Sequence, residues 1–200
     1  MIVEVWADVL CPFTHVGLTK LVARRDEIGS ATQFRARAWP LERVNGAPLD
    51  PELVRSEISA LQAVVSPDLF RAFDPLTFPK TSIGALALTA AAYESGLDTG
   101  ERAALAVRAA VFEEGRDIGA PEVVADLARE LGIAKDSVDP DRVDAEYAAG
   151  RRAGVVGSPY FVIGGRGYFC PSLDITHDAS GFAVAFDATA FEDFATAALG

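Results

Sequence analysis

Four consecutive residues, Cys11-Pro12-Phe13-Thr14, close a β-branched and aromatic run and open a stretch with helical periodicity. A thiol at such a junction meets the free N–H groups and partial positive charge of a helix start, and both favour thiolate over thiol. Its pKa is therefore expected below the free value of about 8.5, which would make Cys11 a nucleophile. Cysteine is a poor helix cap beside Ser, Thr, Asn or Asp. The competing reading is a buried, inert thiol packed under the helix. Pro12 suits the first helical turn, where its missing N–H costs nothing. Thr14 occupies the place where a second thiol would release a mixed disulfide by internal attack. A hydroxyl cannot do that. It can donate a hydrogen bond to the thiolate, worth roughly 0.5–1.5 kcal/mol, or simply support the first turn.

Few other residues compete for chemistry. The second cysteine is Cys170, and the two histidines are His15 and His177. His15 would favour a Cys11 thiolate if charged, although its helical phase can also turn it outward. His177 lies in the polar segment DITHDASG and reads as a solvated loop residue. No Cys/His cluster has metal-ligand spacing, so no metal site is expected. The carboxylates Glu113, Glu114 and Asp117 fall near a helix end and read as a solvated face. GGRGYF joins one strand to the next and reads as a hairpin turn, not a phosphate cradle. In GVVGSPYFVIGG, Pro159 stands at the start of a strand, a tolerated place for proline.

The elements that must position these residues follow from periodicity. IVEVWADVL reads as a buried strand. After Pro12, Leu18, Leu21 and Val22 recur at i, i+3, i+4, and Gly29 ends the helix. TQFRARAW alternates Phe34, Ala36 and Ala38 against Gln33, Arg35 and Arg37, so it is a second strand. Strand, helix, strand implies a right-handed parallel crossover. From about residue 50 to 153 the pattern is helical throughout. Pro51 marks one start, SPDLFRAF opens with a cap and a proline, and TSIGALALTAAAYESG runs from a capping threonine to a terminating glycine. PEVVADLARELG repeats apolar residues at Val123, Leu127 and Leu131 and ends on Gly132. Strands resume at PYFVIGGRGYF as a hairpin. FAVAF reads as a further short strand, and DATAFEDFATAAL as a closing helix capped by Asp187. Trp6 and Trp39 are expected in the core or a cleft wall. The order matches a thioredoxin-like α/β fold: residues 1–48 and 154–200 as the thioredoxin-like domain, and 49–153 as a large helical insertion before the C-terminal hairpin.

Composition narrows the partners. The 200 residues are half hydrophobic and carry a net charge of −11. That excess of acid argues against nucleic acid and anionic membranes as partners. No apolar run of some 18 residues exists to span a bilayer. The start, MIVEVWADVL, has no basic leader before its apolar stretch, so a cytoplasmic location is expected. Two cysteines do not make a disulfide scaffold.

WADVLCPFTHVG, GVVGSPYFVIGG and FEEGRDIGAPEVVADLARELGI together resemble the DsbA-like family of thioredoxin-fold proteins, in its FrnE-like branch. FRARAWPLERVNG and the helical insertion extend the likeness over nearly the whole chain. That branch is related to 2-hydroxychromene-2-carboxylate isomerases and kappa-class glutathione transferases. The resemblance implies a nucleophilic Cys11 and a cis bond between Ser158 and Pro159. It places the Ser158 backbone beside Cys11, ready to pair with an extended thiol peptide, with Phe13 as the motif's aromatic. The family commonly has Cys-Pro-Trp-Cys where this chain has Cys11-Pro12-Phe13-Thr14.

Three activities fit that likeness. The first is a monothiol thiol–disulfide oxidoreductase, resolved by glutathione or an equivalent low-molecular-weight thiol, with no tightly bound cofactor. The second is a glutathione-dependent isomerase or transferase, where serine is expected at the position of Cys11. The third is a binding scaffold without catalysis. Cys11 favours the first. Expected partners are thiol or disulfide substrates, protein or small molecule, with a homodimer left open. Cys170 could resolve Cys11 instead. With the hairpin turn centred near Gly165–Arg166, however, it pairs opposite Phe161, two strands from the Cys11 strand. That is roughly 10 Å by strand spacing, beyond the Cα separation of about 7 Å that a disulfide spans.

Overall fold

The computed structural model describes residues 1–178 and 181–200, with the side chains of 177, 178 and 181 outside that description. Its central sheet grows from β1 (Ile2–Ala7), whose Val3, Val5 and Ala7 are fully buried. Helix α1 (Pro12–Ile28) starts with Pro12 in its first turn. It stops at Gly29, whose left-handed φ of 66° lets the chain close back onto the Arg25 and Asp26 carbonyls. β2 (Gln33–Ala38) runs parallel to β1, with Phe34, Ala36 and Ala38 inward as the alternation requires.

Helices α2 (Leu41–Asn45), α3 (Pro51–Val64), α4 (Ile83–Glu94), α5 (Leu97–Phe112), α6 (Pro121–Leu131) and α7 (Pro140–Arg152) follow, with one 3₁₀ turn at Lys135–Ser137. The chain then returns through β3 (Tyr160–Ile163) and β4 (Arg166–Phe169). The sheet order is β2-β1-β3-β4, with β3 antiparallel to both neighbours. A separate hairpin, β5 (Leu173–Asp178) and β6 (Gly181–Phe186), precedes α8 (Ala188–Leu199), which Asp187 caps by accepting from the Ala190 amide. No helix among the described residues is long and apolar enough to cross a membrane.

Two apolar clusters carry the packing. One joins the sheet to α1 and α8 through Val3, Val5, Leu18, Leu21, Phe161 and Phe194. The larger one joins the helices to the end of β1 and contains Cys11, Phe13, Val54, Ile58, Cys170 and Val184. The β5–β6 hairpin is part of its roof: Leu173, Ile175 and Phe182 pack on it, and β6 lies along α3. Trp6 and Trp39 are buried with Val155 in a third cluster.

Three local expectations need correcting. SPDLFRAF forms no helix, and residues 66–80 are turns. The amides of Phe70 and Arg71 donate to the Glu113 carboxylate instead of to helical carbonyls, and Phe70 has a φ of 65°. DITHDASG is not all loop, since Leu173–Asp178 pairs along β6. Its Leu173-Asp174-Ile175-Thr176 alternation is a strand pattern masked by turn-forming residues. The solvation expected for the His177 side chain lies outside the described residues. TSIGALAL starts a helix whose cap position falls at Ser82, one residue later than expected; Ser82 sends its hydroxyl to Asp8, and the Thr81 hydroxyl still accepts the Ile83 amide at 3.3 Å.

Candidate active site

The end of β1, the start of α1 and the loop before β3 meet at one point. Cys11 is the N-cap residue of α1 and is 2% exposed. Its Sγ donates to the Ser158 carbonyl at 3.3 Å. The peptide bond that follows, Ser158–Pro159, is cis. The Thr14 hydroxyl lies 3.0 Å from Ser158 Oγ, and Ser158 Oγ also accepts the Asp8 amide at 3.0 Å. Cys11, Thr14, Ser158 and Pro159 are thus brought together, and the Thr14 hydroxyl is paired with Ser158. Phe13 lines a small pocket with Pro159 and Cys170, and its ring lies 5.9 Å from that of Phe182 in the overlying hairpin.

Electrostatics at the sulfur differ from the expectation. Burial pushes the Cys11 thiol up, and the Glu57 carboxylate pushes it the same way. The Ser158 and Thr14 side chains pull it down, and the Thr14 amide acts in the same direction without the geometry of a full capping bond. Burial wins because the hairpin and α3 keep water from the charged form. The resting group is a thiol, as its donation to Ser158 O requires.

Cys170 sits closer to the centre than expected. The turn falls at Gly164–Gly165, so Tyr160 pairs with Phe169 and the Cys170 amide donates to the Pro159 carbonyl at 3.3 Å. Cys170 is therefore opposite Pro159, not Phe161. Both cysteines are free, and burial pushes the Cys170 thiol far up, with Cys11 adding to the shift.

His15 turns away from the sulfur. Its Nε2 is 2.9 Å from Glu113 Oε1, and its ring packs on Phe70 and Phe112. Burial lowers the His15 pKa despite that carboxylate, so it is neutral near pH 7 and supplies no charge to Cys11. Glu113 is not a solvated residue: it accepts from Phe70, Arg71 and His15. A cavity of about 480 Å³ lies beside His15, lined also by Leu18, Arg71, Leu105, Arg108 and Glu113. It occupies the face of α1 away from Cys11, which is not among its walls. Among the described residues no group of three or more His, Cys, Asp or Glu could hold a metal ion.

Two buried groups under the site escape a sequence reading. Asp8 accepts from the Leu10 and Leu41 amides and the Ser82 hydroxyl, fixing the turn from β1 into α1. Arg108, 1% exposed, donates to the Asp8 carbonyl at 3.4 Å and to Ala104 O at 2.6 Å, and its Nε has no partner. Asp8 stands three residues before Cys11, just past β1 and within the apolar run VWADVL, an anomaly that could have singled it out. Arg108 lies in an alanine-rich helix with nothing local to signal its burial.

Comparisons with known proteins agree with this architecture. A probable DsbA oxidoreductase from Streptomyces coelicolor superposes with a TM-score of 0.63 at 21% identity, covering 99% of this chain and 89% of its own. The cytosolic disulfide reductase DsbM from Pseudomonas aeruginosa, solved with GSH, gives 0.60 at 21% identity over 84% of this chain and 88% of its own. A 2-hydroxychromene-2-carboxylate isomerase gives 0.60 at 19% identity, with the same coverage. A search of curated proteins found no match. The family model described as a DSBA-like thioredoxin domain matches residues 2–196. With its cysteine at the head of α1 and its loop proline before β3, the chain belongs to the DSBA-like thioredoxin domain family.

Proposed function

We propose that this protein is a monothiol thiol–disulfide oxidoreductase of the FrnE-like branch, acting through Cys11 and resolved by a low-molecular-weight thiol such as glutathione in the cytoplasm. The observation that carries the reading is the pairing of the Cys11 thiol with Ser158 O at the cis-proline loop, with a hydroxyl at position 14. Cys11 attacks one sulfur of an incoming disulfide; the S–S bond breaks, and the departing sulfur leaves as a thiol. Thr14 has no sulfur with which to displace the adduct, so an external thiol completes the cycle. Burial supports a small substrate. Cys11 is 2% and Ser158 8% exposed beneath the β5–β6 hairpin, so an extended protein segment would have to displace that roof, whereas a tripeptide thiol needs far less room.

Incubation with glutathione disulfide followed by intact-mass measurement tests this. One glutathione adduct is expected, mapped to Cys11, removed by reduced glutathione and absent from Cys11→Ser. No adduct on Cys11 after prolonged incubation would overturn the reading.

A further inference from the structure

The His15 ring uses one of its nitrogens and leaves the other spare. Nε2 lies 2.9 Å from Glu113 Oε1. A carboxylate only accepts, so Nε2 carries the proton and the neutral ring keeps its lone pair on Nδ1. Nδ1 makes no hydrogen bond among the described residues, and unlike Trp39 Nε1 and Arg108 Nε it is not sealed off by protein. His15 as a whole is 6% exposed, and it is a wall of the cavity of about 480 Å³, so the lone pair opens into that cavity. The volume lies in the range of small-molecule sites, roughly 300–1,000 Å³. The acceptor is also fixed in place, since Glu113 and the rings of Phe70 and Phe112 hold the imidazole.

The neighbouring walls indicate what Nδ1 accepts from. Leu18 stands at i+3 from His15 on α1, and Ala109 at i−4 from Glu113 on α5, so both sides at this end are apolar. The two guanidinium groups here are already engaged. Arg108 donates to the Asp8 and Ala104 carbonyls, and Arg71 donates to Glu113 Oε2 at 3.1 Å. Their positive charge disfavours an ammonium at Nδ1 and leaves a hydroxyl unaffected. The unpaired charge is at the rim. Asp68 lines the cavity, is exposed, and makes no ion pair among the described residues. It stands two residues before Phe70, whose ring lies 5.3 Å from that of His15, and two residues of chain span at most about 7 Å. Asp26, at the other end of the cavity, is taken by Arg25.

We propose that this cavity is a second binding site, for a small hydroxylated aryl amine. The hydroxyl donates to His15 Nδ1, the ring lies between Leu18 and Ala109, and the ammonium pairs with Asp68. Glu113 assists from behind, because a carboxylate on the Nε2 side makes Nδ1 the stronger acceptor. The net charge of −11 favours a cation over an acid of the same size. Cys11 is not among the walls, so the site is independent of the thiol chemistry.

Three probes of one size test each contact. Tyramine has the hydroxyl and the amine, phenethylamine lacks the hydroxyl, and 4-hydroxyphenylacetate has a carboxylate in place of the amine. Each is titrated into the full chain and followed by the methyl resonances of the protein. Tyramine should bind about threefold to tenfold tighter than phenethylamine, bind tighter than the acid, and shift the methyls of Leu18 and Ala109. In His15→Phe, which keeps a ring between Phe70 and Phe112, the advantage over phenethylamine should vanish. In Asp68→Asn the advantage over the acid should shrink. No binding of tyramine, equal affinity for tyramine and phenethylamine, tighter binding of the acid, or shifts confined to Val54 and Val184 in the Cys11 cluster overturns the site. So does a His15→Phe protein that keeps the full preference for tyramine. If that variant does not fold, the Nδ1 resonance of His15 in the wild-type chain decides. It should move with tyramine and stay with phenethylamine, and the same response to both refutes the contact.

Discussion

Ser158 is the residue on which the site turns. Its carbonyl accepts from the Cys11 thiol, while its hydroxyl accepts the Asp8 amide and meets the Thr14 hydroxyl. A sulfur in place of the Thr14 hydroxyl would stand one turn from Cys11, where it can resolve the adduct internally. Thr14→Cys is therefore expected to abolish accumulation of the glutathione adduct and give an intramolecular disulfide instead, read by mass spectrometry under non-reducing conditions. Persistence of the adduct would mean that the position does not face the sulfur. Cys11, Thr14 and Pro159 were legible in the sequence because each is marked by local rules: a thiol at a strand-to-helix junction, a spacing, a proline opening a strand. Glu113 and Arg108 were not. A carboxylate or guanidinium in or beside a helix is ordinary until the tertiary packing shows which face is dry. The depressed thiol pKa expected at Cys11 failed for the same reason. The helix start is local, but the roof that outweighs it comes from residues more than 150 positions away.

At the scale of elements, one carboxylate ties three pieces of chain together. Glu113, just past α5, receives the Phe70 and Arg71 amides of the turn segment and the His15 ring of α1. Burial alone would raise the Glu113 pKa, yet these bonds together hold it below its ordinary 4.5, while burial holds His15 below its ordinary 6.5. Both signs point the same way. The stability that His15 contributes as a buried neutral ring is lost as pH falls through 6.5, where the unfolded chain takes up a proton first. The share from Glu113 is present above its unfolded pKa of 4.5 and lost as pH falls through its lower folded value. Urea midpoints should therefore decline from about pH 7 downward, and Glu113→Gln should flatten the part of that decline below about pH 5. An unchanged acid limb in the variant would contradict the assignment. The same bonds explain why SPDLFRAF misled: a capping serine and a proline announce a helix, but a distant carboxylate offered its amides a better partner.

Across the whole molecule, the helices between β2 and β3 do more than lengthen the chain. β2 is an edge strand whose outward amides would otherwise be bare, and three helices supply their partners. The Phe34 amide donates to Glu101 at 2.8 Å, Ala36 to the Tyr93 hydroxyl at 2.9 Å, and Ala38 to Glu146 at 2.7 Å. Tyr93 in turn donates to Phe34 O at 2.9 Å, and it approaches over Gly100, where a Cβ would lie 2.0 Å from its ring. Tyr93→Phe leaves a buried amide and a buried carbonyl unpaired, so it should cost about 1–3 kcal/mol by urea denaturation; a loss within error would show that water replaces the phenol. The fold class was readable from strand and helix order, yet this sealing was not, since it joins single polar atoms across 57 to 108 positions of sequence. At the other margin β4 pairs only with β3 among the described residues, and Arg166, Gly167 and Phe169 are exposed there. A sheet with one closed and one open margin can add a single neighbour by strand pairing and then has no margin left. Pairing through β4 therefore closes the central sheets of two copies about a two-fold axis and leaves neither with a free margin.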